Sequence, residues 1–223
     1  MLHLGTIRGT TITVDPSFFL LVAFFVIMNM SDQGGMLYAI LWAPVLFISV
    51  LVHELAHAAM FGLFGYGATS VVLGGMGGHT ASDARDIRAW HDALISVAGP
   101  LSSFALSFFF RWLWFNVPSV QADPFGRAIV PLLISANLFW AILNLIPVKP
   151  LDGGHFVRSS LRTFLSERRA FVIAAWIGII VGGAAALWFA YNRSIIMTIV
   201  LGMGVFQQYQ AWEHYRKYGT PGD

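Results

Sequence analysis

Phe47-Ile48-Ser49-Val50-Leu51-Val52-His53-Glu54-Leu55-Ala56-His57-Ala58-Ala59-Met60-Phe61 is an apolar run interrupted by two histidines and a glutamate. It lies inside a longer apolar stretch, about 37–64. A helix needs roughly 20 apolar residues to cross about 30 Å of hydrocarbon, and this stretch is long enough. Ionisable side chains in hydrocarbon cost a few kcal/mol each on insertion scales, so they normally mark function or pair with one another. The stretch therefore reads as a membrane helix that carries a polar site.

The rest of the composition agrees. Of 223 residues, 57% are hydrophobic and only 11% are charged, and the mean hydropathy is +0.70. A soluble domain carries about 25% charged residues, and a disordered chain is poor in hydrophobic ones. Neither class fits, and an integral membrane protein does. The formal net charge is +2, and the cations are spread along the chain with no basic stripe suited to nucleic acid. Cysteine is absent, which excludes disulfides and thiolate metal sites. The N-terminal residues lack a charged segment leading into an apolar run and cleavage site, so no signal peptide is expected.

Six apolar stretches are long enough to be considered as spans: about 18–30, 37–64, 93–115, 128–146, 171–191 and 195–212. The first follows Pro16, a residue suited to a helix start. The last two are separated by the tight Asn192-Arg193-Ser194 turn. The expected fold is a membrane all-α bundle of about six transmembrane helices with short membrane-associated β-strands. It is read as one domain over 1–223, with a core at about 37–160 and peripheral helices at about 16–30 and 171–212. Six spans put both termini on one side with the loops around 65–90 and 148–169. That side carries ten of the Lys and Arg residues and the other carries three, Arg111, Arg127 and Arg193. The positive-inside rule then places both termini in the cytoplasm of a multi-pass cell-membrane protein. Leu4 to Val14 alternates and is rich in Thr, Ile and Val, which reads as a short strand or hairpin. Ala68 to Thr80 joins a β-like Thr69-Ser70-Val71-Val72-Leu73 to Gly74, Gly75, Gly77 and Gly78, and reads either as a segment dipping into the membrane or as an interfacial connector.

His53-Glu54-Leu55-Ala56-His57 is a HExxH pattern. One helical turn separates the histidines, so both imidazoles project from one face and can share a zinc ion. Glu54 lies beside that face, where it can hold a water and accept its proton. The bland alternative is a polar clamp that binds neighbouring helices through hydrogen bonds. A catalytic zinc site also needs a third protein ligand and an open position. The best candidate is Asp152, in Asn144-Leu145-Ile146-Pro147-Val148-Lys149-Pro150-Leu151-Asp152-Gly153-Gly154. Pro147 and Pro150 end or unwind a helix, and Gly153-Gly154 permits a tight turn that could aim the carboxylate inward. The competing reading of Asp152 is a turn aspartate that caps the next helix.

These residues resemble the site-2 proteases, intramembrane zinc metalloproteases. That family has HExxH in one transmembrane helix and an Asn-x-x-Pro-x-x-x-Leu-Asp-Gly segment in a later one. Both are here, the second as Asn144, Pro147, Leu151, Asp152 and Gly153. The resemblance extends over roughly 40–160, Gly99-Pro100 included. It implies that His53, His57 and Asp152 hold one Zn2+ and that Glu54 is the catalytic glutamate. It also implies that Asn144 binds or orients the substrate backbone, against a reading as helix-to-helix polar packing. Many members have an asparagine after their Gly-Pro; this chain has Leu101-Ser102-Ser103, and helix packing or kinking is the reading favoured for that segment.

The implied activity is hydrolysis of a peptide bond within or near the transmembrane segment of a single-span membrane-protein substrate, in regulated intramembrane proteolysis. Such a substrate must unwind locally, and Leu4 to Val14 or Val71 to Leu73 would take it up in extended form at a sheet edge. The 223 residues leave no room for a sensor domain, so regulation would come from a membrane partner, from a first cut in the substrate made by another protease, or from gating between helices. Two rivals remain at this point. A prenyl-protein type of HExxH protease would need a glutamate ligand, and Glu167 and Glu213 both fall in expected cytoplasmic segments. A metal transporter or inactive scaffold would need further ligand pairs along the spans, and few exist.

Overall fold

The computed structural model describes residues 1–30 and 35–219. In order these form β1 (Leu2–Ile7), β2 (Thr10–Val14), α1 (Ser17–Met28), α2 (Gly35–Ile40), α3 (Trp42–Leu63), β3 (Thr69–Gly74), β4 (Gly77–Ser82), α4 (Ala89–Asn116), α5 (Pro118–Ala122), α6 (Pro124–Asn144), α7 (Asp152–Arg162), α8 (Glu167–Tyr191) and α9 (Ile195–Tyr218). The chain is mostly helical with one small sheet, and four helices are long and apolar enough to cross a membrane: Tyr38–Leu63, Ala89–Asn116, Pro124–Asn144 and Glu167–Tyr191. The other two expected spans differ in kind. α1 has 12 residues, about 18 Å of helix against about 30 Å of hydrocarbon. α9 has 24 residues, but Gln207, Gln208, Gln210, Glu213, Arg216 and Lys217 make its C-terminal half polar.

Contacts divide the chain into two compact units, one of residues 1–86 and 98–141, the other of residues 87–97 and 142–223. In the first, the four strands lie in the order β1-β2-β3-β4. β1 and β2 form an antiparallel hairpin, β2 and β3 pair in parallel from Thr10–Thr69 to Val14–Leu73, and β3 and β4 pair antiparallel. The alternation in β3 buries Thr69, Val71 and Leu73 and turns Ser70 outward, as a period of two requires. Ile12, Val14, Val71 and Leu73 join Phe18, Val50, Ala58 and Trp140 in one apolar core, so the sheet packs on α1, α3 and α6. α3 also packs on α6 through Val45, Leu132, Leu133 and Ala136. Gly65, at φ 75°, lets the chain turn away after α3 in the left-handed conformation that commonly ends a helix.

The sheet order corrects one expectation. β2 and β3, which contain Ile12 and Val72, are interior strands bonded on both sides. An extended peptide cannot add to Val71–Leu73, because its backbone groups are already used. The edges are β1 and β4.

In the second unit α8 and α9 form a helical hairpin around the Asn192-Arg193-Ser194 turn, where Arg193 takes φ 60°. The segment between α6 and α7 is compact: Val148 N–H donates to Ile146 O at 2.8 Å and Leu151 N–H to Val148 O at 2.9 Å. Phe108, Phe109 and Trp112 on α4 and Ile180, Leu187 and Trp188 on α8 are exposed. Bands of this size suit a lipid environment.

Candidate metal centre

α3 carries His53, Glu54 and His57, all buried. The spacing of four on a continuous helix stacks the two imidazoles, with ring centroids 4.9 Å apart and planes at 77°. Their Nε2 atoms face each other at 3.3 Å. Two nitrogens each about 2.0–2.1 Å from one tetrahedral zinc would be about 3.3–3.4 Å apart, so the pair fits a shared ion without movement. On the other side of the first ring, His53 Nδ1 lies 3.0 Å from Ser103 Oγ of α4. That bond directs Nε2 of His53 toward His57.

Gly99 of α4 faces the same point. A Cβ built there would fall on the Nε2 atoms of both His57 and His53. The helix thus leaves a side-chain-sized gap where two ligand nitrogens converge.

Glu54 meets the sheet. Thr80 Oγ1 lies 2.8 Å from Glu54 Oε2 and 3.0 Å from the Glu54 backbone oxygen, so its hydroxyl can donate to either. A Cβ at Gly78 would meet Glu54 Cγ at 2.5 Å and Oε1 at 2.6 Å. β4 therefore runs directly against the carboxylate, and only glycine fits at that register. Deeper along α3, Ser49 Oγ accepts from Asn137 Nδ2 of α6 at 2.9 Å. Asn137 is fully buried.

Asp152 is the first residue of α7. Gly153 and Gly154 pack so closely on Leu145, Ile146 and Val148 that any side chain would strike backbone. Ligand atoms of His53, His57 and Asp152, one from each, all lie within 4.8 Å of one another, a group that could hold a metal ion. No other such group of three occurs among the described residues. Two imidazoles and a carboxylate are a donor set that suits zinc. Asn144 is the last residue of α6 and is partly buried. His3, His79, His155 and His214 are exposed, and His91 is buried at the start of α4; none belongs to the group.

Residue-by-residue reading of the sequence does not reach Ser103, Thr80, Gly78 or the close approach of Gly99. The one trace in α4 is the run of small residues Gly99, Ser103 and Ser107 at steps of four in an apolar helix.

The pattern of peptidase family M50 matches residues 120–188, a segment that includes Asn144 and Asp152. The chain belongs to this zinc metalloprotease family, that of the site-2 proteases. Among M50 relatives, Rip3 of Mycobacterium tuberculosis, provisionally named as a zinc metalloprotease, is 32% identical over 185 residues, covering 78% of this chain and 46% of Rip3. The zinc metalloprotease MJ0392 of Methanocaldococcus jannaschii is 27% identical over 200 residues, covering 90% of this chain and 56% of the relative. The chain spans about half the length of these relatives. The solved structure of a site-2 protease from Methanocaldococcus jannaschii has the same fold, with a TM-score of 0.64, 24% identity and 94% of each chain covered. As an M50 member with several apolar helices, the protein is a membrane protein.

Proposed function

We propose that this chain is an intramembrane zinc metalloendopeptidase of one catalytic domain, which hydrolyses a peptide bond within or near the transmembrane segment of a single-span membrane protein during regulated intramembrane proteolysis. The observation that carries the reading is the convergence of the His53, His57 and Asp152 ligand atoms within 4.8 Å, with Glu54 on the same helical turn.

In this reading His53, His57 and Asp152 hold the zinc. When bound, the ion supplies a Lewis acid that polarises the scissile carbonyl and lowers the pKa of water. Glu54 takes the proton from the attacking water and returns it to the amine nitrogen as the C–N bond breaks. Thr80 orients that carboxylate through its Oε2. The substrate lies extended along the edge of β4, the strand that touches Glu54, with its backbone completing the sheet. Asn144 binds the substrate backbone. Four helices suited to crossing, together with α1 and α9, make up a multi-pass protein of six spans with both termini cytoplasmic. A membrane partner regulates access.

The first test needs no substrate. Wild type and Asp152→Ala are purified in the same detergent, shown to be folded, and assayed for bound metal by elemental analysis. One zinc per chain, lost in the variant, is the expected result. Stoichiometric zinc in the variant removes Asp152 from the site, and no zinc in a folded wild type even after zinc is added overturns the reading.

A further inference from the structure

The segment that leads into Asp152 is seated on the α8–α9 hairpin, far along the chain from either sequence motif. Pro147 and Pro150 lack backbone N–H groups, so helix hydrogen bonding stops there, and the Lys149 N–H between them needs another acceptor. Gln208 of α9 supplies one: its Oε1 accepts from Lys149 N–H at 3.0 Å. Its Nε2 donates to Ala174 O of α8 at 3.3 Å. Gln208 is itself buried, 7% exposed, so both contacts are made away from solvent. A buried amide bonded at both ends holds its partners in one arrangement.

Three glycines complete the seat. A Cβ at Gly178 would meet Pro147 O at 2.5 Å and Gln208 Nε2 at 2.8 Å. At Gly182 it would meet Val148 Cβ at 3.2 Å, and at Gly204 Lys149 O at 2.5 Å. Gaps on α8 and α9 thus receive residues 147, 148 and 149 in turn. By contrast, a Cβ at Gly183 or Gly202 on the same helices would meet nothing within 4 Å. The close packing is local to this segment.

We infer that Gln208 is a positioning residue for Asp152, acting through the Lys149 amide three residues before it. The inference rests on the reading of Asp152 as a zinc ligand. It makes the α8–α9 hairpin part of the metal site, although the hairpin contributes no ligand.

The test is zinc affinity by chelator competition, on full-length protein in detergent, with helicity recorded for each variant. Gln208→Leu keeps the volume and removes the acceptor. We expect it to weaken zinc binding about tenfold or more, the scale seen when groups that orient ligands are lost. Gly178→Ala, which pushes on Pro147 and Gln208 together, should do the same, and Gly183→Ala should leave affinity unchanged. A folded Gln208→Leu protein with wild-type affinity, beside an Asp152→Ala protein that has lost zinc, overturns the inference and leaves the metal site standing. If Gln208→Leu does not fold, Gly178→Ala decides alone: folded with wild-type affinity, it overturns the inference. Zinc retained by Asp152→Ala overturns the metal-site reading and this inference with it.

Discussion

Ser103 Oγ lies 3.0 Å from His53 Nδ1, and both residues are buried. An imidazole that ligates through Nε2 carries its proton on Nδ1, so Ser103 is the acceptor that selects this tautomer and holds the ring. Ser103→Ala is expected to weaken zinc binding about tenfold or more without loss of fold. Chelator competition on the purified protein measures it, and unchanged affinity would reduce Ser103 to a packing residue.

Gly99→Ala should be more severe. Its methyl group would occupy the point where the two Nε2 atoms converge. The expected result is a folded protein with far less than one zinc per chain. Gly62→Ala on α3, where a Cβ meets nothing within 4 Å, is the control and should bind zinc normally.

Glu54→Gln separates chemistry from metal binding. The amide oxygen can still accept from Thr80, but the side chain can no longer take a proton. Cleavage of a membrane-peptide substrate should fall by about 10²–10⁴-fold, the usual contribution of a general base, with zinc content unchanged. Thr80→Val should lower the rate less, because it frees the carboxylate to turn without removing it.

Ser49→Ala tests a polar contact outside the site. Ser49 stands one turn before His53 and bonds to Asn137, yet its partner also donates to Leu133 O at 2.8 Å. The cost should be about 0.5–1.5 kcal/mol of unfolding free energy, typical of one buried polar contact between membrane helices. Zinc stoichiometry should not change. Metal loss in this variant would show that helix position and ligation are coupled more tightly than one turn suggests.

At the junction of β2 and α1, Asp15 is held below the ordinary carboxylate range, first by the Ser17 hydroxyl and then by the Ser17 backbone N–H. Ser17 Oγ donates to Asp15 Oδ1 at 2.6 Å and accepts from Gly75 N–H at 2.9 Å. Because the folded-state value is depressed, the stabilisation is full above the unfolded aspartate value of about 3.9 and is lost as pH falls through the lower folded value. Hydrogen exchange at the Gly75 amide, relative to its intrinsic rate, should therefore lose protection in that acidic window. Ser17→Ala should remove the protection at every pH.

What the sequence discloses follows from how local each signal is. The HExxH spacing is a property of one helix, and α3 presents it as expected because four residues make about one turn. The strands at Leu4–Val14 and Thr69–Leu73 are also local, since β-branched residues between glycines leave few alternatives. Asp152 is singled out by its prolines and glycines, and the structure gives each a reason in the tight segment before α7. Ser103, Thr80 and Gln208 stay hidden because a lone serine, threonine or glutamine has no pattern, and its role depends on what another element brings to it. Gly99 reads as a packing residue; the packing is real, but its partners are the two imidazoles. The sheet-edge expectation fails at Val72 because strand order is a long-range property that no window of residues contains.

The parallel pairing of β2 with β3 constrains the path through the bilayer. Hydrogen-bonded strands cannot lie on opposite faces of a membrane, so the chain between Val14 and Thr69 must make an even number of crossings. If α3 makes one complete passage, the short α1 and the residues that follow it make the return partner. Insertion is then a two-stroke event, and the sheet can close only after α3 has come back beside the N-terminal hairpin. The strand that touches Glu54 is therefore assembled last, so the protease would acquire its substrate edge only once its own threading is complete.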